Sequence, residues 1–192
     1  MYRVPQQLLG RSKSAVVKTP CDPSEMITRW QKVRLGGMKT VEFMEECEVD
    51  GKPGVMMEDL STNNFVYVSP NTVRNGNGKN EPEDYLLNNK IDSIANFDEL
   101  LQEMEKLYHY SCCAAIEINY DAIFFGVEKG NSNPSVTYKL VDLDLMCMNL
   151  TINECQSNKQ QIKQALEHFV EFFVSNQANA KSYKTQINTM KF

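Results

Sequence analysis

The stretch Asp50-Gly51-Lys52-Pro53-Gly54 limits the fold more than any other part of the sequence. Asp, Gly and Pro together are turn chemistry: Gly accepts the positive φ that a tight reversal requires, and Pro fixes its own φ. Before it, Thr40 to Val49 is β-leaning, though acidic. After it comes the short apolar run Val55-Met56-Met57, then Glu58-Asp59-Leu60. Two β-runs joined by so short a turn pair antiparallel, so the spacing predicts a hairpin early in the chain.

The remaining elements fall on either side of it. Ala15-Val16-Val17-Lys18 reads as a short apolar strand. Asp22 is placed to cap a helix with Pro23 in its first turn. Met26, Trp30 and Val33 recur at i, i+4 and i+7 as one apolar face, and Gly36-Gly37 ends that helix. Residues 71–83 (NTVRNGNGKNEPE) are polar and Gly/Asn-rich and read as an exposed loop. A second helix opens at Asn96-Phe97-Asp98-Glu99 and runs to about Tyr110, with Leu100, Met104 and Leu107 as its buried stripe. Two strand-like runs follow, Ala114 to Val127 and Thr137 to Leu145, joined by the turn-rich 128–135. A last helix spans about Ser157 to Ser175, lined by Ile162, Leu166, Phe169, Val170 and Phe173. Phe172 lies off that line and faces either a partner or a second side of the same core. The polar tail from Asn176 is expected to fray. Strands and helices segregated in this way predict an α+β fold rather than a repeating βαβ sheet.

Composition sets outer limits. A chain of 192 residues suits one compact unit, read here as a small β-rich N-terminal lobe (1–60) and a mainly helical C-terminal lobe (61–192). The longest apolar runs are far short of the roughly 20 residues of a membrane-spanning helix. Twenty Lys and Arg against 25 Asp and Glu leave a net charge of −5, the wrong sign for a nucleic-acid binder. The six cysteines (Cys21, Cys47, Cys112, Cys113, Cys147, Cys155) have no Cys-x-x-Cys spacing, and His109 and His168 are the only histidines. A structural zinc site is not expected. The opening MYRVPQQLLGRSKS has no apolar stretch of signal-peptide length, so free thiols in a reducing cytoplasm are expected.

Three places can carry chemistry. In Val141-Asp142-Leu143-Asp144-Leu145, strand alternation would put Asp142 and Asp144 on one face. Two such carboxylates repel unless a cation lies between them, and hard oxygens suit Mg²⁺. A solvent-facing strand edge explains them equally. Lys18 ends an apolar strand, where it either offers a point charge to phosphate or snorkels to water. Glu58-Asp59-Leu60 follows an apolar strand directly and by itself is an ordinary charged turn.

Their order carries more. An apolar-apolar-Lys strand, a helix, a hairpin ending Met57-Glu58-Asp59-Leu60, a further helix, and a strand pair ending Leu140-Val141-Asp142-Leu143-Asp144 together resemble the protein-kinase-like superfamily over about residues 10–148. The likeness is to its small bacterial branches, such as aminoglycoside phosphotransferases and lipopolysaccharide core sugar kinases. The resemblance implies a reduced kinase-like fold that binds ATP and Mg²⁺. Lys18 would hold phosphates, Met57 to Leu60 (with Glu58 and Leu60) would form the adenine-contacting hinge, and Asp142 would bind metal with Asp121 or Asp144. Glu25 is the available acidic partner for Lys18.

The sequence departs from that pattern in two places. No G-x-G-x-x-G precedes Lys18. Ile116 stands where the family has its catalytic Asp, leaving Glu117 as the nearest carboxylate, and a base must reach the proton it takes. These departures lead to a kinase-like domain with a degenerate catalytic loop, a pseudokinase-type nucleotide-binding or scaffold protein with a possible protein partner. The alternatives are an active small-molecule or sugar phosphotransferase, and an α+β interaction domain unrelated to kinases.

Overall fold

The structure, a computed structural model, describes residues 2–4, 15–62, 64–69, 86, 88–143, 151 and 155–192. The expected loop at 71–83, Asp144 and Cys147 lie outside them. The fold is α+β. The strands are β1 (Tyr2–Val4), β2 (Ala15–Lys18), β3 (Phe43–Val49), β4 (Lys52–Glu58), β5 (Phe65–Val68), β6 (Ile123–Glu128) and β7 (Val136–Leu140). The helices are α1 (Pro23–Leu35), α2 (Phe97–Cys113), α3 (Gln156–Phe173) and α4 (Gln177–Asn188). The strands form two antiparallel sheets, ordered β1-β2-β4-β3 and β5-β6-β7.

The early hairpin forms, with a tighter turn than the composition suggests. Asp50 and Gly51 alone make the reversal, at φ of 52° and 72°, and Val49 pairs with Lys52. Positive φ at both central residues is the two-residue turn whose twist matches paired strands. Pro53 and Gly54 therefore belong to β4. A Cβ on Gly54 would lie 2.8 Å from the Lys18 carbonyl, so the close approach of β2 requires glycine there.

Helix α1 starts as its sequence dictates: the Asp22 side chain accepts from the Glu25 N–H at 3.1 Å, with Pro23 first in the helix. It ends at Gly36-Gly37, where Gly37 takes φ 79°. Its buried residues Met26 and Val33 enter the main core with Val55 and Met57 of β4. The other face of the first sheet carries a small separate cluster of Ala15, Val17 and Met56.

A three-residue strap joins the two sheets. The Val41 N–H donates to the Leu140 carbonyl (3.1 Å), the Leu140 N–H to the Lys39 carbonyl (3.0 Å), and the Thr40 hydroxyl to the Leu140 carbonyl (3.1 Å). Helix α3 lies at the centre of the main core. Ile162, Ala165, Leu166, Phe169, Val170 and Phe173 are fully buried, and the Phe169 ring lies 4.7 Å from Phe125 of β6. Phe172 is half-buried against the same core, 6.0 Å from the His168 ring, so the wide aromatic surface packs within this chain.

Several expectations need revision. The tail from Asn176 does not fray: it forms α4, capped by the Asn176 side chain and docked through buried Tyr183 and Ile187. Strand β5 was not anticipated. The run from Ala114 is not strand until Ile123, because its first residues are held by side chains from α3. Strand β7 stops at Leu140, so Asp142 lies beyond it and strand alternation does not set its direction.

Candidate functional site

Register determines where Lys18 points. On β2, Ala15 and Val17 face the small cluster, which leaves Val16 and Lys18 on the opposite face. Their cross-strand partners are Met57 and Val55, both members of the main core. Lys18 is therefore directed toward the second sheet. There its Nζ lies 3.3 Å from Asp142 Oδ1, with side-chain exposures of 20% and 35%. A partly exposed pair like this contributes little stability. Its significance is positional, since it joins residues 124 apart in sequence.

Asp142 is anchored from two directions. The Val141 N–H donates to the Ala122 carbonyl at 3.0 Å, extending the β6–β7 contact by one residue. Arg29 of α1 donates through Nη1 to the Leu143 carbonyl at 3.2 Å. The same guanidinium pairs with Glu25, so the acid expected beside Lys18 is engaged by Arg29.

Asp121 immediately precedes Ala122, whose carbonyl accepts from the Val141 N–H, in the 3₁₀ turn Tyr120–Ala122 that leads into β6. Its carbonyl accepts from the Ser69 hydroxyl at 3.5 Å. Its Oδ1 is buried with no hydrogen-bond partner among the described residues. A carboxylate oxygen removed from water without a partner is costly, and a bound cation would relieve it. Among the described residues, no three His, Cys, Asp or Glu side chains cluster as a metal site. Mg²⁺ does not need such a cluster: one or two carboxylates suffice when phosphate and water supply the remaining oxygens. Asp121 and Asp142 are carboxylates of that type.

Glu58 does not face solvent from a turn. Both its carboxylate oxygens accept from Lys139 Nζ of β7, at 2.6 and 2.5 Å, and Oε2 also accepts from the Glu42 N–H at 3.2 Å. Lys139 Nζ lies 5.9 Å from the Tyr67 ring. Burial, and then the charge of Glu58, push the Tyr67 hydroxyl up to about 12. Beside Glu58, Asp59 is almost fully buried, and its Oδ1 accepts from the Ser61 N–H (2.9 Å) and hydroxyl (2.6 Å), closing the turn that carries half-buried Leu60. The expected hinge is therefore a fixed corner between the sheets.

Glu117 is half-buried between Ile116 and Ile118, both fully buried. That segment is held by α3. The Asn158 carboxamide accepts from the Ile118 N–H (2.9 Å) and donates to the Ile116 carbonyl and the Ser111 hydroxyl (each 2.8 Å). One turn on, the Gln161 side chain accepts from the Tyr120 N–H at 3.0 Å. The isoleucine at the position expected for a base is part of the core.

The fold thus brings Lys18 and Asp142 together, puts Asp121 in the 3₁₀ turn just before β6, and puts Glu58 in a separate ion pair. Arg29, Lys139 and Asn158 were not foreseen. Asn158 had a readable signal: a polar residue in line with Ile162, Ala165 and Phe169 on an apolar helical face must satisfy itself indoors. The sequence matches no protein-family model, and comparison with curated proteins finds no similar sequence.

Proposed function

We propose that this chain is a kinase-like domain of pseudokinase type, which binds a nucleotide with Mg²⁺ and lacks an effective catalytic base. The carrying observation is the Lys18–Asp142 contact of 3.3 Å. It sets a cation suited to phosphate against a carboxylate suited to metal, as the resemblance implies. The strand order β2-β4-β3, with α1 inserted between β2 and β3, supports the same reading. Nucleotide binding would exchange the direct ion pair for Lys18–phosphate and Asp142–Mg²⁺–phosphate contacts, with Arg29 holding the Leu143 backbone in place. Fully buried Ile116 supports the loss of the base. Such a domain acts by recruiting a protein partner rather than by turnover.

Thermal-shift titration with ATP, with and without Mg²⁺, tests the reading. A ligand at a hundred times its Kd stabilises by about 2.7 kcal/mol, a few degrees in Tm for this size. The expected outcome is a Mg²⁺-dependent shift in wild type that disappears in Asp142→Ala and in Lys18→Ala. No shift at millimolar ATP would leave an α+β interaction domain unrelated to kinases.

A second reading, active phosphotransfer to a small molecule or sugar, shares the metal that the buried, unpartnered Asp121 oxygen supports and differs in taking half-buried Glu117 as the base. Mg²⁺-dependent loss of ATP that falls at least tenfold in Glu117→Gln would favour it; ATP binding without turnover would exclude it.

A further inference from the structure

We propose that the end of α1 and the adjoining face of α2 form a docking surface for an acidic peptide segment that bears a large apolar side chain. Among the described residues, two large hydrophobics are exposed: Leu35, the last residue of α1, at 90%, and Tyr110 of α2, at 39%. The fold brings them to one place. Gly37, two residues after Leu35, packs so closely on the Tyr110 ring that a Cβ there would lie 3.0 Å from it. Apolar side chains scattered singly over a surface need no explanation, but here the two adjoin.

Positive charge surrounds them. Arg34 is exposed, and its guanidinium lies 5.0 Å over the Trp30 ring. That ring is itself fixed, since Trp30 Nε1 donates to the Val41 carbonyl at 2.9 Å. A guanidinium held over a fixed ring loses little freedom when it takes a carboxylate in a two-pronged bond. Lys39, two residues after Gly37, pairs with Glu103 of α2 at 2.8 Å, and Lys106 stands 3.7 Å from the same carboxylate. Glu103, Lys106 and Tyr110 recur at helical spacing, which puts them on one face of α2. Three cations and one carboxylate thus frame the apolar pair, on a chain whose net charge is −5. No acidic residue occurs in 26–41 or in 106–116.

This local reversal of sign selects the partner. Carboxylates on a peptide would meet Arg34, Lys39 and Lys106, and an apolar side chain between them would cover Leu35 and Tyr110. Exposed ion pairs add little affinity, so the apolar contact holds the peptide and the cations choose it. A nucleic acid or an anionic bilayer spreads its charge over a far wider area, where the −5 of the whole chain opposes approach. The inference rests on the recruiting role proposed above and gives that role a surface.

The test selects a phage-displayed library of random peptides on the wild-type chain and measures the enriched peptides, labelled with fluorescein, by anisotropy. Enriched sequences should combine Asp or Glu with Leu, Ile, Phe or Trp. Binding should weaken at least about tenfold in Leu35→Ser and in Arg34→Glu, both exposed positions outside the core. It should hold in Lys181→Glu, the same charge change at an exposed site on α4, and weaken with added salt. No enrichment, enrichment of basic or neutral peptides, or equal binding to Leu35→Ser would overturn the proposal. So would self-association of the chain alone that sedimentation shows to be lost in Leu35→Ser, because a second copy would then be the occupant. The readout uses no nucleotide, so failure here with the Mg²⁺-dependent ATP shift intact strikes this surface alone.

Discussion

Asn158 has the most to lose among single residues. Its carboxamide makes three buried hydrogen bonds, two of them to backbone groups of the 116–118 segment. Removing it leaves an N–H and a carbonyl buried and unpaired, each worth about 1–3 kcal/mol. Asn158→Ala is therefore expected to lower stability by about 3 kcal/mol in urea unfolding, with Asn158→Asp recovering only the acceptor role toward Ile118. The same reasoning explains why Glu117 was hard to place from sequence. Its neighbours Ile116 and Ile118 alternate as in a strand, but their backbone groups are held by a side chain 40 residues further on. No local pattern carries that information.

Among the elements, α1 and the β3–β4 hairpin were readable because their signals are local: Asp22 before Pro23, and Asp50-Gly51 between β-runs. Helix α4 was not, although it starts at a capping Asn and buries Tyr183 and Ile187. Its apolar content is sparse, and its stability comes from docking. The Tyr183 hydroxyl accepts from the buried Ile94 N–H at 2.8 Å, and its ring lies 4.0 Å from Phe97. Tyr183→Phe keeps the ring and strands the Ile94 N–H, which should cost about 1–3 kcal/mol and free the Ile94 amide for faster hydrogen exchange. Of the candidate site, Lys18 at the end of a short strand was legible, from the apolar run before it. The meeting of Lys18 with Asp142 was not, since it depends on the strap at 39–41 holding the two sheets together.

For the whole molecule, the alkaline limit of stability follows from buried acids in separate places. Burial, then the charge of Glu58, raises Tyr67 to about 12; burial raises Tyr138 further still, and raises Cys112 to about 12. Each is protonated in the folded chain where the unfolded chain has already lost its proton. Above pH 10 the unfolded state therefore binds fewer protons, and stability falls as pH rises. Urea midpoints measured between pH 9 and about 11 should decline, and Tyr67→Phe should decline less steeply. A variant with the same slope as wild type would remove Tyr67 from the account.

The strap has a consequence for synthesis. Thr40 and its partner Leu140 are 100 residues apart, and a ribosome adds about 5–20 residues per second, so the first sheet waits about 5–20 s for the second. During that interval the Lys39 carbonyl and Val41 N–H have no mate on β7, and β3 is the outer strand of its sheet. Glu46 and Glu48 are exposed along that strand. Their like charges keep two nascent chains from joining edge to edge on a crowded polysome until Leu140 arrives.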